Sequence, residues 1–277
     1  MLDRFYTRLL GLSALAAVLS LGACATPPAD PAARAEFEAD NDPIEPVNRA
    51  IFDFNLVVDG VIIKPAAQVY RGVLPQEARD GVHNALENLR SPIVFANDVL
   101  QGQTQRAAIT VVRFVINSTV GILGIFDVAK EAGYVGHSED FGQTFAKWGI
   151  GEGPYLVLPI LGPSNPRDAT GLATEWFTDP FNIWMSNTDR DWVIWTRAGL
   201  EGVDLRSRNI ETLDELQKTS IDYYAAIRSL YRQRRAAEIG DSSPDAAPPS
   251  PTPMGSAPEA LPTTGRVEAA QAPSSAQ

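Results

Sequence analysis

Hydrophobic and polar positions alternate at helical spacing over most of this chain. Val47, Ile51, Phe54, Val58 and Val61 recur at intervals of three and four, which predicts a helix with one apolar face. Asp42-Pro43-Ile44-Glu45 ahead of them has the form of a helix start, with Asp42 as N-cap, Pro43 at the first position and Glu45 closing a capping-box-like pair. Lys64-Pro65 then ends or breaks that helix. A second helix follows Pro75, with Val82, Ala85, Leu86 and Leu89 on its face, and Ser91-Pro92 restarts the chain into residues 93–100. Between Ala107 and Val128 the only charges are Arg113 and Asp127. Asn117-Ser118-Thr119 and the glycines at 121 and 124 interrupt that run, so it reads as two helical pieces, packed in a core or partly sunk in lipid. Asp179-Pro180 forms another N-cap and first-position pair. Phe181, Trp184, Met185, Trp192 and Trp195 share a face if the helix continues through residues 187–190, a stripe that fits either core packing or a membrane interface. From 203 to 239 a long amphipathic pattern (Leu205, Leu213, Leu216, Tyr224, Ile227, Tyr231) carries Arg228, Arg232, Arg234 and Arg235, read as a solvated last turn complementing the helix dipole.

One stretch breaks the helical pattern. Residues 141–171 hold six glycines and four prolines, so they read as a series of turns around the apolar run from Tyr155 to Leu161. The stretch is too apolar for disorder, and long irregular connections inside a domain are usually functional. Gly149, Gly151 and Gly153 followed by Pro154 make it the expected hinge, a bend whose exit proline is fixed.

The two ends differ from the middle. Residues 1–23 carry Arg4 and Arg8 and then an uncharged run to Leu21, the layout of an export signal too short to span a membrane. Leu21-Gly22-Ala23-Cys24 resembles the bacterial lipobox, and Cys24 is the sole cysteine. That resemblance implies cleavage before Cys24, a diacylglyceryl thioether on its sulfur and N-acylation, enough acyl chains for stable anchoring. Ala25 is not the aspartate that signals inner-membrane retention in such lipoproteins, which favours the outer membrane. Residues 24–40 read as a lipidated tether, 41–239 as one mainly helical domain, and 240–277 as a disordered Pro/Ala/Ser-rich tail.

The net charge is −11, which argues against nucleic acid, since phosphate binding needs clustered bases, and against simple attraction to anionic lipid. Holding the domain to a bilayer beyond its anchor falls to apolar surface. Catalytic patterns are weak. His83 and His137 lie in separate segments without a second ligand at metal spacing and read as surface or capping residues. Glu139-Asp140 reads as a solvated acidic loop. The glycines at 149, 151 and 153 lack the spacing and the preceding strand of a nucleotide loop. No metal or organic cofactor is expected beyond the covalent lipid on Cys24.

Taken together, Asp42-Pro43-Ile44-Glu45-Pro46-Val47-Asn48-Arg49, Phe52 to Asn55, Leu74 to Arg79, Leu100-Gln101-Gly102, Arg113 to Asn117, Gly124 to Ala129 with Asp127, Phe141-Gly142-Gln143-Thr144, Gly149 to Tyr155, Leu158-Pro159 and Arg167-Asp168 resemble the MlaA (VacJ) lipoproteins. The resemblance covers residues 42 to about 171, more loosely the later helices, and not the tail. It implies a mainly α, multi-helix, ring-like, membrane-associated domain around a Gly/Pro-rich central loop, lodged in the inner leaflet of the outer membrane. It also implies a non-enzymatic amphipathic channel through which phospholipids leave the outer leaflet for a periplasmic MlaC-like carrier, and association with a trimeric porin. Two alternatives stand beside it: an assembly lipoprotein that braces a porin, and a lipid-acting hydrolase.

Overall fold

The computed structural model describes residues 41–241; the signal segment, Cys24, the tether and the tail beyond 241 lie outside them. Helix α1 (Glu45–Val58) runs through a π-helical turn (Asp59–Ile63) into α2 (Lys64–Val73) without interruption. Pro65 therefore does not end the helix. The Lys64 N–H reaches back five residues to the Asp59 carbonyl, and this wider turn accommodates a proline that donates no hydrogen bond of its own. Asp42 does not cap α1 either. Ile44 occupies the N-cap without a side-chain bond, Pro46 stands in the first turn, and the Asp42 carboxylate is buried elsewhere.

Helix α3 (Gln76–Leu100) is continuous across Ser91-Pro92. A proline inside a helix costs about 3 kcal/mol, and packing of α3 against α4 (Thr104–Thr119) offsets it. A glycine-rich apolar turn then leads to the one-turn helix α5 (Val128–Glu131), so residues 107–128 are divided where expected, but the second piece is a turn rather than a helix. The 141–171 stretch is more regular than a series of turns. It opens with α6 (Phe141–Lys147), continues as an antiparallel hairpin of β1 (Leu156–Leu158) and β2 (Gly162–Ser164), with Val157 opposite Pro163, and enters α7 (Pro166–Thr178). Asp179 caps α8 (Pro180–Asn187) as expected, through a 2.8 Å bond from the Phe181 N–H. The helix stops at Asn187, however, and Asp189 turns the chain with φ +56° into α9 (Asp191–Arg208). The aromatic residues from 181 to 195 thus sit on two helices. Helices α10 (Ile210–Thr219) and α11 (Tyr223–Asp241) complete the described chain.

Contacts between these elements close a circuit. The α1–α2 rod packs on α9, α9 on α3, α3 on α6, α6 on α11, α11 on β2, and the hairpin returns to α1 through β1. Phe52, Tyr155, Val157 and Tyr224 form the hydrophobic cluster where the circuit joins. Elsewhere the usual distribution is inverted. Among the described residues, buried polar and charged side chains outnumber buried hydrophobic ones, and the largest fully buried side chains are Glu139, Asn48, Asn97, Thr144, Asp42, Asp98 and Ser207. Large apolar side chains line the outside: Val61, Ile62, Val69 and Val73 on the rod, Leu123 after α4, Trp192 and Trp195 on α9.

Candidate functional site

Helix α1 carries Glu45, Asn48, Arg49 and Asn55 of the residues singled out in the sequence, and it presents two asparagines seven residues apart to the hairpin. Asn48 donates from Nδ2 to the Tyr155 carbonyl at 2.9 Å and accepts from the Val157 N–H at 2.9 Å. Asn55 donates to the Leu158 carbonyl at 2.9 Å and accepts from the Ile160 N–H at 2.7 Å. Each carboxamide supplies the donor and acceptor a neighbouring strand would have given, so the free edge of β1 is satisfied by a helix. Asn48 also donates to Asp42 at 2.7 Å, and Asp42 accepts from Tyr224 Oη and, at 3.0 Å, from Arg228. Arg49 bonds Glu45 at 2.7 Å and grips Asp222 with both terminal nitrogens. These motif residues form the joint that closes the circuit.

A second joint holds α6, α7 and α11 together. Asp140 caps α6 through the Gln143 N–H at 2.8 Å and receives a bidentate fork from Arg235 at 2.6 and 2.7 Å. Arg235 also pairs with Asp168 at 2.8 Å, and Tyr231 donates to Asp168 at 2.6 Å. Two of the four arginines of α11 therefore do not belong to a solvated turn: Arg228 and Arg235 are buried, whereas Arg234 is exposed. Burial pushes the Asp140 carboxyl up, but the bond and charge of Arg235 outweigh it, and the group titrates below the ordinary range. Its neighbour Glu139 goes the other way: burial dominates, although Gln101 donates to it at 2.9 Å and Arg106 lies at 3.4 Å, and its carboxyl is raised. Neither behaves as a solvated acidic loop. Sequence reasoning missed that α11 serves both joints, yet it left a trace: Tyr224 and Arg228 of the first and Tyr231 and Arg235 of the second follow steps of four, three and four, one face of a helix.

Between α3, α4 and residues 127–138 lies a polar cleft of about 430 Å³, lined among others by Asn84, Glu87, Asn88, Arg113, Asn117 and Lys130. Asn117 donates to Asp127 at 2.9 Å and accepts from the Ala129 N–H at 2.9 Å, while Arg113 bonds Asp127 at 3.0 Å. His83 and His137 also line the cleft, and neither is a simple surface residue: His83 Nδ1 pairs with Asp204 at 2.9 Å, and His137 Nε2 with Asp98 at 2.9 Å. Thr110 Oγ1 donates to Asp98 at 2.7 Å and lies 3.4 Å from the same Nε2. A hydrolytic relay uses opposite ring nitrogens for carboxylate and nucleophile; here both neighbours share one nitrogen, so the arrangement is structural.

The expected hinge stands apart from this cleft. Gly149 and Gly153 take φ of +84° and +72°, while Gly151 shows no such φ and a side chain there would meet open space. Asn41 donates to the Gly153 carbonyl at 2.7 Å, and Glu152 lies 3.7 Å from Arg232, lining a larger cleft of about 1090 Å³ with Glu45, Arg49 and Asp222. The structure thus joins the hinge segment to the α1 joint and leaves Asn117 and Asp127 on the other cleft.

A family model described as MlaA lipoprotein matches residues 40–238. The chain is 35% identical over 202 residues to a protein of Escherichia coli (strain K12) named intermembrane phospholipid transport system lipoprotein MlaA, covering 70% of this chain and 76% of that one. It is 36% identical over 199 residues to an uncharacterized protein of Rickettsia prowazekii, covering 72% and 78% respectively. A solved structure from work described as the structural basis for maintenance of bacterial outer membrane lipid asymmetry superposes with a TM-score of 0.61 at 33% identity, covering 72% of this chain and 98% of that one.

Proposed function

Because this chain belongs to the MlaA lipoprotein family, we propose that it removes misplaced phospholipids from the outer leaflet of the outer membrane and passes them to a soluble periplasmic carrier, maintaining lipid asymmetry. Cys24 carries the anchor, a trimeric porin is the neighbour in the membrane, and an MlaC-like carrier receives the lipid. The observation that carries this reading is the inverted distribution of side chains. No described helix is long and apolar enough to cross a membrane, yet the exterior exposes valines, isoleucines and tryptophans while carboxylates, amides and arginines fill the interior. Such a body is solvated by lipid at its flank and offers polar partners inside. An unaided phospholipid is held in its leaflet because its charged headgroup cannot enter hydrocarbon. A polar passage inside an apolar wall removes that barrier and leaves the acyl chains in an apolar medium.

In this reading Gly149, Gly151, Gly153 and Pro154 set how open the passage is. The test is the surface-exposed phospholipid content of cells with and without the protein, together with lipid flux at constant porin level. Loss of the protein should raise surface phospholipid. An unchanged value with a destabilised porin would instead identify a bracing lipoprotein.

A further inference from the structure

The turn after α4 is unusual in conformation and in what it shows to the outside. Ile122 and Leu123 take φ of +53° and +57° in succession, a left-handed conformation that L residues avoid and that is an outlier for a β-branched side chain. Strain of this kind persists where the surroundings over-determine it, and it clusters at functional sites. The surroundings here do so. The N–H groups of Leu123, Gly124 and Phe126 bond back to the carbonyls of Ser118, Asn117 and Gly121 at 3.1, 2.8 and 2.9 Å. A side chain at Gly124 would strike Asn88 at 2.4 Å, one at Gly81 would meet Ile125 at 3.0 Å, and Asn84 donates to the Ile125 carbonyl at 3.2 Å. Asn84 and Asn88 belong to the polar cleft, so the turn is seated on its edge. What the strain achieves is display: Ile122 and Leu123 are 59% and 75% exposed.

A strained apolar lip and a polar cleft therefore share one rim. The cleft holds a fixed cation in Arg113, already neutralised by Asp127, and two exposed groups of opposite sign, Lys130 and Glu87. Lys130 makes no side-chain bond or ion pair among the described residues. This pairing of an ammonium and a carboxylate beside a hydrocarbon-like lip matches a molecule with a phosphate, an amine and an acyl chain. Resting on the phospholipid role above, we propose that the cleft binds the headgroup of an amine-bearing, zwitterionic phospholipid, with Lys130 toward the phosphate, Glu87 toward the amine, and one acyl chain along Ile122 and Leu123.

The test uses the mature protein in nanodiscs containing equal phosphatidylethanolamine and phosphatidylglycerol, with a photo-crosslinking residue at Leu123, at Ile122, or at the distant exposed Val69. At 122 and 123 the captured ethanolamine-to-glycerol ratio should exceed that at 69 by about two- to fivefold, the size an exposed ion pair supplies. Glu87→Gln should abolish that preference, and Lys130→Glu should lower total capture at 122 and 123 while leaving 69 unchanged. Circular dichroism confirms that each variant is folded; two lip positions and two charge variants ensure that one unfolded protein does not decide the result. Equal ratios at all three positions, insensitive to both substitutions, would mean that the turn touches bulk lipid only and would overturn the proposal. Failure of the unmodified protein to lower surface phospholipid in cells would instead sink the transport reading.

Discussion

At the scale of single residues, the two joints are the sensitive points. Arg235 forks onto the part-buried Asp140 and is one of two cations at Asp168, which also pairs with Arg167 at 3.0 Å, so Arg235→Leu strips Asp140 of its fork and should lower stability by about 3 kcal/mol, read from denaturant unfolding in detergent. Gly142→Ala should act on the same joint, because its Cβ would lie 2.3 Å from Arg235 Nη2 and 2.6 Å from Asp168 Oδ1. The pH dependence has a definite sign. Burial raises Asp140 and Asp168, but Arg235, with Tyr231 at Asp168, outweighs it and holds both below the model-peptide value of 3.8. A depressed folded pKa means stabilisation complete above that value and lost as pH falls below it. The acid limb of the stability curve should therefore flatten in Arg235→Gln. The hinge glycines should separate in the same way: Gly149→Ala forces a side chain into φ +84° and should destabilise by about 1 kcal/mol or more, whereas Gly151→Ala should be close to neutral in unfolding midpoint.

At the scale of elements, the rod of α1, π-turn and α2 depends on its one wide turn. Asp59 is held by Arg206 at 2.8 and 3.0 Å, and Lys64 by Asp214 at 2.8 Å, so both ends of the turn are fixed to α9 and α10. Deleting Gly60 should convert the turn to ordinary α-helix and rotate α2 by about 100°. That rotation would carry the fully buried Ala67 outward and remove the Lys64 pair, and the midpoint of thermal unfolding should drop by several degrees. The rod also shows what was legible beforehand. Helical periodicity from Val47 to Val61 is correct, but the buried face carries Asn48 and Phe52, while Phe54 and Val61 are exposed. Period can be read from sequence alone; the direction of the face cannot be when large apolar side chains stand on the exposed side and an asparagine on the buried one. The asparagine clamps, Asp140 and Arg235 were hidden for a related reason. Their partners lie about a hundred residues away, beyond any local pattern. The capping aspartate at 179 was readable because its partner is two residues on.

At the scale of the whole molecule, apolar flanks and a polar interior predict behaviour in solution. The Cys24→Ala protein, which lacks the proposed site of the anchor, should still need detergent to remain monodisperse, since apolar patches much above a few hundred Å² are rare on soluble monomers; size-exclusion chromatography with and without detergent decides this. The inverted interior has a calorimetric consequence too. The heat-capacity change of unfolding comes chiefly from apolar surface newly exposed to water, and for ordinary globular proteins it is about 12–15 cal/mol/K per residue. Here polar groups fill much of the interior, and their hydration on unfolding lowers the heat capacity. In detergent micelles the outer valines and tryptophans stay covered in both states. Scanning calorimetry should give a per-residue value well below that range, and hence a stability curve that is shallow with temperature and lacks a cold limb near freezing.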